Sequence, residues 1–115
     1  MIRYSSKMAE EIVENMRGGK GKIGMTPLFE TKIPHLRLLS KISLEPGSSI
    51  GSHQHHDEAE VYFVLEGEAT VLDNGEEYIL KPGDAHLCSS GGEHALLNKS
   101  ASLTRILAII PTLAE

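Results

Sequence analysis

Residues 51–63 read GSHQHHDEAEVYF and gather three of the chain's six histidines with three acidic side chains. His53 and His55 stand two apart, so on an extended strand both imidazoles project from one face while His56 points the opposite way. Imidazole is the commonest side-chain metal ligand, and a pair of neutral ring nitrogens with one carboxylate suits many divalent ions. Taken alone, H-x-H is a weak signal, because polar turns rich in histidine are commoner than metal sites. Two carboxylates compete for the third ligand position, since Glu58 and Glu60 have the same parity. Glu60, Tyr62 and Val64 share a face of the strand that follows, which makes Tyr62 a candidate pocket-lining acid or base.

The wider spacing narrows the choice. From Gly47 the chain runs five residues to His53, one to His55, four to Glu60 and six to Gly67. Further on, Gly83 is followed after five residues by Ser89, after one by Gly91, after two by His94 and after three by Asn98. These two runs resemble the paired motifs of the cupin superfamily, G(X)5HXH(X)3–4E(X)6G and G(X)5PXG(X)2H(X)3N, with Ser89 standing where the proline would be. NMRGGKGK and EPGSSIGSHQH also resemble a group of small bacterial cupins of the oxalate decarboxylase-like kind. The resemblance implies an all-β, jelly-roll β-barrel. It also implies that His53, His55, Glu60 and His94 converge on one divalent transition metal: manganese, iron, nickel or zinc. The six-residue step to Gly67 favours Glu60 over Glu58, and His56, Asp57 and Glu58 then read as solvated turn residues.

Other features read more plainly. KPGDAH imitates the second motif, but no asparagine stands at the right distance from His86. His86 and Cys88 share a face and are candidates for the pocket's outer wall or for an ordinary structural role. GKGKIG fits GxGxxG literally, yet a dinucleotide site needs a strand before it and a helix after it. Arg17, Lys20 and Lys22 form the main basic cluster of an acidic chain. Their Gly-rich turn either folds over the barrel mouth to hold an anionic substrate or hangs as an exposed linker.

These residues need a frame to hold them. Met8, Ile12, Val13 and Met16 recur at helical spacing, with Ser5 or Ser6 to cap the start and Gly18–Gly19 to end it, so a short N-terminal helix is predicted. Leu36, Leu38, Ile42 and Leu44 alternate with polar residues as a half-buried strand. EPGSSIG reads as a turn-rich break. Asn74-Gly75, between alternating apolar runs, signals a hairpin. AHLCSS, HALLN and SLTRILAII supply further strands. The predicted organisation is residues 1–30 as a helix and arm packing on the barrel and residues 31–115 as the cupin barrel, one domain overall.

Composition sets the outer bounds. A chain of 115 residues suits one core. A formal charge of −5 disfavours nucleic acid and anionic membranes as partners, and the absence of tryptophan disfavours base stacking. The lone Cys88 and the lack of a secretory pattern at the start predict a cytoplasmic protein. Small cupins commonly pair, so the resemblance implies a homodimer. Function is expected to be metal-dependent chemistry on a small polar or anionic metabolite, of decarboxylase, dioxygenase or isomerase type. The alternative is a module that binds or senses such a molecule without turning it over.

Overall fold

The computed structural model describes residues 1–113; residues 114 and 115, the end of the expected 31–115 unit, lie outside them. Ten strands are found among the described residues. They are β1 (Glu11–Glu14), β2 (Lys22–Pro27), β3 (Leu36–Leu44), β4 (Ser49–Gln54), β5 (Glu60–Glu66), β6 (Ala69–Asp73), β7 (Glu76–Leu80), β8 (Ala85–Cys88), β9 (Glu93–Leu97) and β10 (Thr104–Pro111). They form two antiparallel sheets, one ordered β1-β2-β3-β10-β5-β8 and the other β4-β9-β6-β7. This is the jelly-roll arrangement of two facing sheets rather than the closed barrel expected, because no ladder joins one sheet to the other.

The predicted N-terminal helix is absent. The segment instead makes two short 3-10 turns, Ser5–Lys7 and Met16–Gly18, around β1, which pairs with β2 from Glu11 opposite Met25 to Glu14 opposite Lys22. The reason is local. A helix of so few residues is marginal in water, and the β-branched pair Ile12 and Val13 fits a strand ladder. Asn15 and Arg17 then adopt positive φ, 53° and 55°, which no helix accommodates.

Alternation places the core. Ile42 and Leu44 of β3, Tyr62 and Val64 of β5, and Ile106 and Ala108 of β10 face inward from the larger sheet. Ile50, Val71 and Leu96 meet them from the smaller sheet. The hairpin signal holds: Asn74 and Gly75 take φ of 50° and 87° and connect β6 to β7, the conformation of a two-residue type I′ turn. The break predicted at EPGSSIG is shorter than expected, since β4 already starts at Ser49. Asn98 fastens the end of β9, donating from Nδ2 to the carbonyls of Leu44 and Ser102, each at 2.8 Å. Its place in the motif is therefore architectural.

Candidate metal centre

The four predicted ligands arrive from both sheets. His53 lies on β4 and pairs in register with His94 on β9. Glu60 opens β5 in the opposite sheet, and His55 sits just past the end of β4 on the link between them. A register shift between Ile50 and His53 re-aims the end of β4. His55, Glu60 and His94 are buried, and the His53 side chain is nearly so. His55 Nε2 is 3.0 Å from His94 Nε2, and His94 Nε2 is 3.1 Å from His53 Nε2. Glu60 Oε1 lies 2.9 Å from His94 Nε2, 3.0 Å from His55 Nε2 and 3.6 Å from His53 Nε2.

The outward nitrogens decide what the inward ones are. His53 Nδ1 is 2.7 Å from the Gly51 carbonyl, and His55 Nδ1 is 2.6 Å from the Glu58 carboxylate. Both partners accept hydrogen bonds, so both neutral rings carry their proton on Nδ1 and turn a bare Nε2 inward. His94 Nδ1 meets His86 Nε2 at 3.2 Å, which gives His94 the same option. Lone pairs of three imidazoles and a carboxylate thus face one another in a buried space. Only a cation, as protons or as a metal ion, makes such an arrangement favourable. The donor set could hold one metal ion.

Electrostatics agree with a cation-seeking site. Burial alone would raise the Glu60 carboxyl; when the cation is supplied as protons on the imidazoles, hydrogen bonds from His53 and His94 and the imidazole charges override burial and lower it to about 2. Tyr62 stacks flat on His94, with centroids 4.8 Å apart and planes 5° apart, and its hydroxyl lies 3.4 Å from His94 Nε2. Burial first, then the Glu60 charge, pushes this phenol well above its ordinary value of 10.0. Tyr62 is therefore a neutral hydrogen-bond donor beside the centre.

The remaining sequence candidates separate cleanly. His56 and Asp57 are exposed. Glu58 is not a solvated turn residue: Arg37 donates to it through Nε at 2.7 Å and Nη2 at 2.8 Å, while its other side meets His55. Burial first, and any proton on His94 second, lower His86, which favours its neutral form as the acceptor for His94 Nδ1–H. Cys88 is buried, and its Sγ lies 3.9 Å from the Ser89 carbonyl. The turn lacking proline at Ser89 is closed by hydrogen bonds instead, from Gly92 N–H to the Ser89 carbonyl at 2.9 Å and from Gly91 N–H to the His55 carbonyl at 2.6 Å.

The Gly-rich basic turn is fixed over the site. Lys20 and Ser49 exchange hydrogen bonds at 2.9 and 2.8 Å. A Cβ on Gly51 would collide with the Arg17 carbonyl, and one on Gly19 with the Ser49 carbonyl, so both glycines permit the backbones to touch. This contact leaves a cavity of about 110 Å³ on His53, His55, Glu60 and Tyr62. Met16, Met25, Leu38 and Ile50 supply its apolar wall, and Arg17 and Arg37 supply its charge. Sequence reasoning offered Arg17 as one of two readings and gave no sign of Arg37, which is distant in the chain.

A jelly roll of two facing sheets, with three histidines and a glutamate clustered between them, defines a class of small β-proteins built around an internal ligand site. The chain belongs to the cupin family, whose cupin domain matches residues 40–110. Over 112 residues it is 38% identical to the oxalate-binding protein of Thermotoga maritima, covering 96% of this chain and 93% of that protein. The crystal structure of a predicted oxalate decarboxylase from Thermotoga maritima superposes with a TM-score of 0.94 at 37% identity, covering 98% of this chain and all of that one. KdgF from Halomonas sp., at 21% identity, a TM-score of 0.78 and coverage of 96% and 93%, shares the fold. Among the described residues, no helix is long and apolar enough to cross a membrane.

Proposed function

We propose that the chain binds one divalent transition metal through His53, His55, Glu60 and His94, and that metal, Arg17 and Arg37 together capture a small carboxylate anion of the oxalate class. The cavity carries this reading. It opens on the metal-ligand candidates, and Arg17 and Arg37 stand in an otherwise apolar wall. A volume of about 110 Å³ has room for roughly three or four waters at about 30 Å³ each, or for one small organic anion. Arg37 is already paired with Glu58, whereas no carboxylate pairs with Arg17 among the described residues. Arg17 is thus the cation most open to a ligand. The similarity to an oxalate-binding protein supports the same ligand class.

Ligand spacing supports an octahedral ion such as manganese, iron or nickel. Ligands about 2.1 Å from an ion stand about 3.0 Å apart at adjacent octahedral corners and about 3.4 Å at tetrahedral ones. Four of the separations here are 2.9–3.1 Å. Four protein ligands would close a tetrahedral zinc site but leave two octahedral positions for a bidentate carboxylate. A metal bound there supplies Lewis-acid charge to the oxygens of the ligand. The chain's own residues do the rest: the guanidiniums orient the anion, and the apolar wall excludes water from it.

A second reading, turnover rather than capture, rests on Tyr62. Its neutral phenol borders the cavity beside His94, which supports it as the donor of the proton that replaces carbon dioxide on the carbon a carboxylate leaves. Calorimetric titration of manganese-loaded protein with oxalate tests the first reading. Saturable heat that disappears after metal stripping, and weakens about tenfold in Arg17→Ala as one charge-assisted contact is lost, is expected. Loaded protein giving no such heat overturns it. Formate released from oxalate under oxygen, and lost in Tyr62→Phe, would establish the second.

A further inference from the structure

Behind the ligand set stands a pair of residues that coordination alone does not require. The Glu58 carboxylate is mostly buried and touches His55 Nδ1 at 2.6 Å through Oε2. Arg37 grips both of its oxygens, Oε1 from Nε at 2.7 Å and Oε2 from Nη2 at 2.8 Å. The turn presenting Glu58 is itself tied down. Asp57 occupies the left-handed region at φ 59°, its N–H donates to Ser90 Oγ at 3.0 Å, and its carbonyl accepts from Leu113 N–H at 2.9 Å. Glu58 also bridges to Thr112. A carboxylate fixed this firmly against the outer nitrogen of an imidazole chooses the ring's tautomer, limits its rotation and strengthens the inner nitrogen as a donor.

We propose that Glu58, clamped by Arg37, is the positioning residue of the centre: it holds His55 as the Nδ1–H tautomer with Nε2 aimed at His53, Glu60 and His94, and thereby sets metal affinity. The inference rests on the metal-binding reading above but concerns residues outside the ligand set. The two members of the pair are unequal in it. Glu58→Ala removes the acceptor at Nδ1 and leaves the Arg37 cation uncompensated near the centre. Arg37→Ala leaves the carboxylate in contact with His55 and loosens only its aim. An ion pair serving stability alone would make the two losses equivalent.

The test uses metal-free and manganese-loaded full-length chains, with backbone amide spectra confirming that each variant is folded. Nitrogen-15 NMR of the metal-free protein reads the tautomer of His55 directly. Wild type and Arg37→Ala are expected to show Nδ1–H, and Glu58→Ala a mixture or Nε2–H. Competition with a chelator should show manganese affinity reduced about 10- to 100-fold in Glu58→Ala and less than tenfold in Arg37→Ala. Wild-type protein that binds manganese while Glu58→Ala keeps the Nδ1–H tautomer, or equal losses in the two variants, overturns the role given to Glu58. Folded wild-type protein that takes up none of manganese, iron, nickel or zinc overturns the metal reading itself, and the positioning role falls with it.

Discussion

Replacing His94 with alanine tests the centre through stability rather than activity. His94 touches each of the other three ligands through Nε2, at 2.9–3.1 Å, and is 1% exposed. A metal that binds only the folded chain stabilises it by about 2.7 kcal/mol when present at 100 times its Kd. For a domain of this size that corresponds to roughly 10 °C in Tm, at about 4 °C per kcal/mol. Losing a direct ligand should weaken binding at least as much as losing an outer contact, about 100-fold. At the same metal concentration the stabilisation then drops to about 0.4 kcal/mol, a shift of under about 2 °C. Removing the ring from beneath Tyr62 also leaves a cavity that costs about 2–4 kcal/mol in the metal-free protein. The quantity to compare is therefore the metal-induced shift within each protein, not the absolute Tm. Differential scanning calorimetry of chelator-stripped protein, with and without manganese, measures it, and elemental analysis gives the stoichiometry. His56→Ala is the control, because that exposed ring faces away and should leave the full shift. A shift near 10 °C retained by His94→Ala refutes the reasoning, as does wild-type protein with no shift.

Two further outcomes follow from the same geometry. The Glu58 carboxyl is held at about 2, below its ordinary 4.5, first by the Arg37 hydrogen bonds against the cost of burial and then by His55. A lowered carboxyl contributes stability that is complete above about pH 4.5 and lost as pH falls toward 2. Glu58→Gln should flatten the acid limb of urea-midpoint stability over that window, and a slope equal to wild type would count against the assignment. Separately, Phe63, Leu65 and Leu87 are exposed on the outer face of the larger sheet, where Leu87 lies on the edge strand β8. A second copy covering that apolar face predicts a light-scattering mass twice the chain's 12.5 kDa, reduced to that of one chain by Phe63→Glu.

Legibility in the sequence followed interaction range. The hairpin at Asn74-Gly75 and the strands of alternating burial were readable because each is determined by residues close in the chain. His53, His55 and Glu60 were readable as a group for the same reason, and His94 through its motif spacing. What escaped needed contacts that spacing does not encode. Met8, Ile12, Val13 and Met16 satisfy a helical period, but β2 offered Ile12 and Val13 a ladder, and left-handed residues at Asn15 and Arg17 cut the period short. Glu58 looked like turn chemistry because its decisive partner, Arg37, is 21 residues away. The Gly-rich turn could be linker or cover until Gly51 met the Arg17 carbonyl.

The split origin of the ligands links fold to function more tightly than the ligand list suggests. His53 and His94 belong to the four-stranded sheet and Glu60 to the six-stranded one, with His55 on the chain segment that crosses between them. No backbone ladder closes the two sheets into a barrel, so packing, the chain segments that cross between them and single hydrogen bonds such as Ser49 N–H to the Lys20 carbonyl hold the faces together. Glu60 must therefore approach the histidines across the sheet interface, and anything that neutralises their opposed lone pairs also draws the sheets together. For a metal held by this cluster, affinity and the tightness of sheet packing would then be two readings of one free energy. Arg17 and Tyr62 line the cavity at that same junction, so an anion placed there bears on both sheets as well.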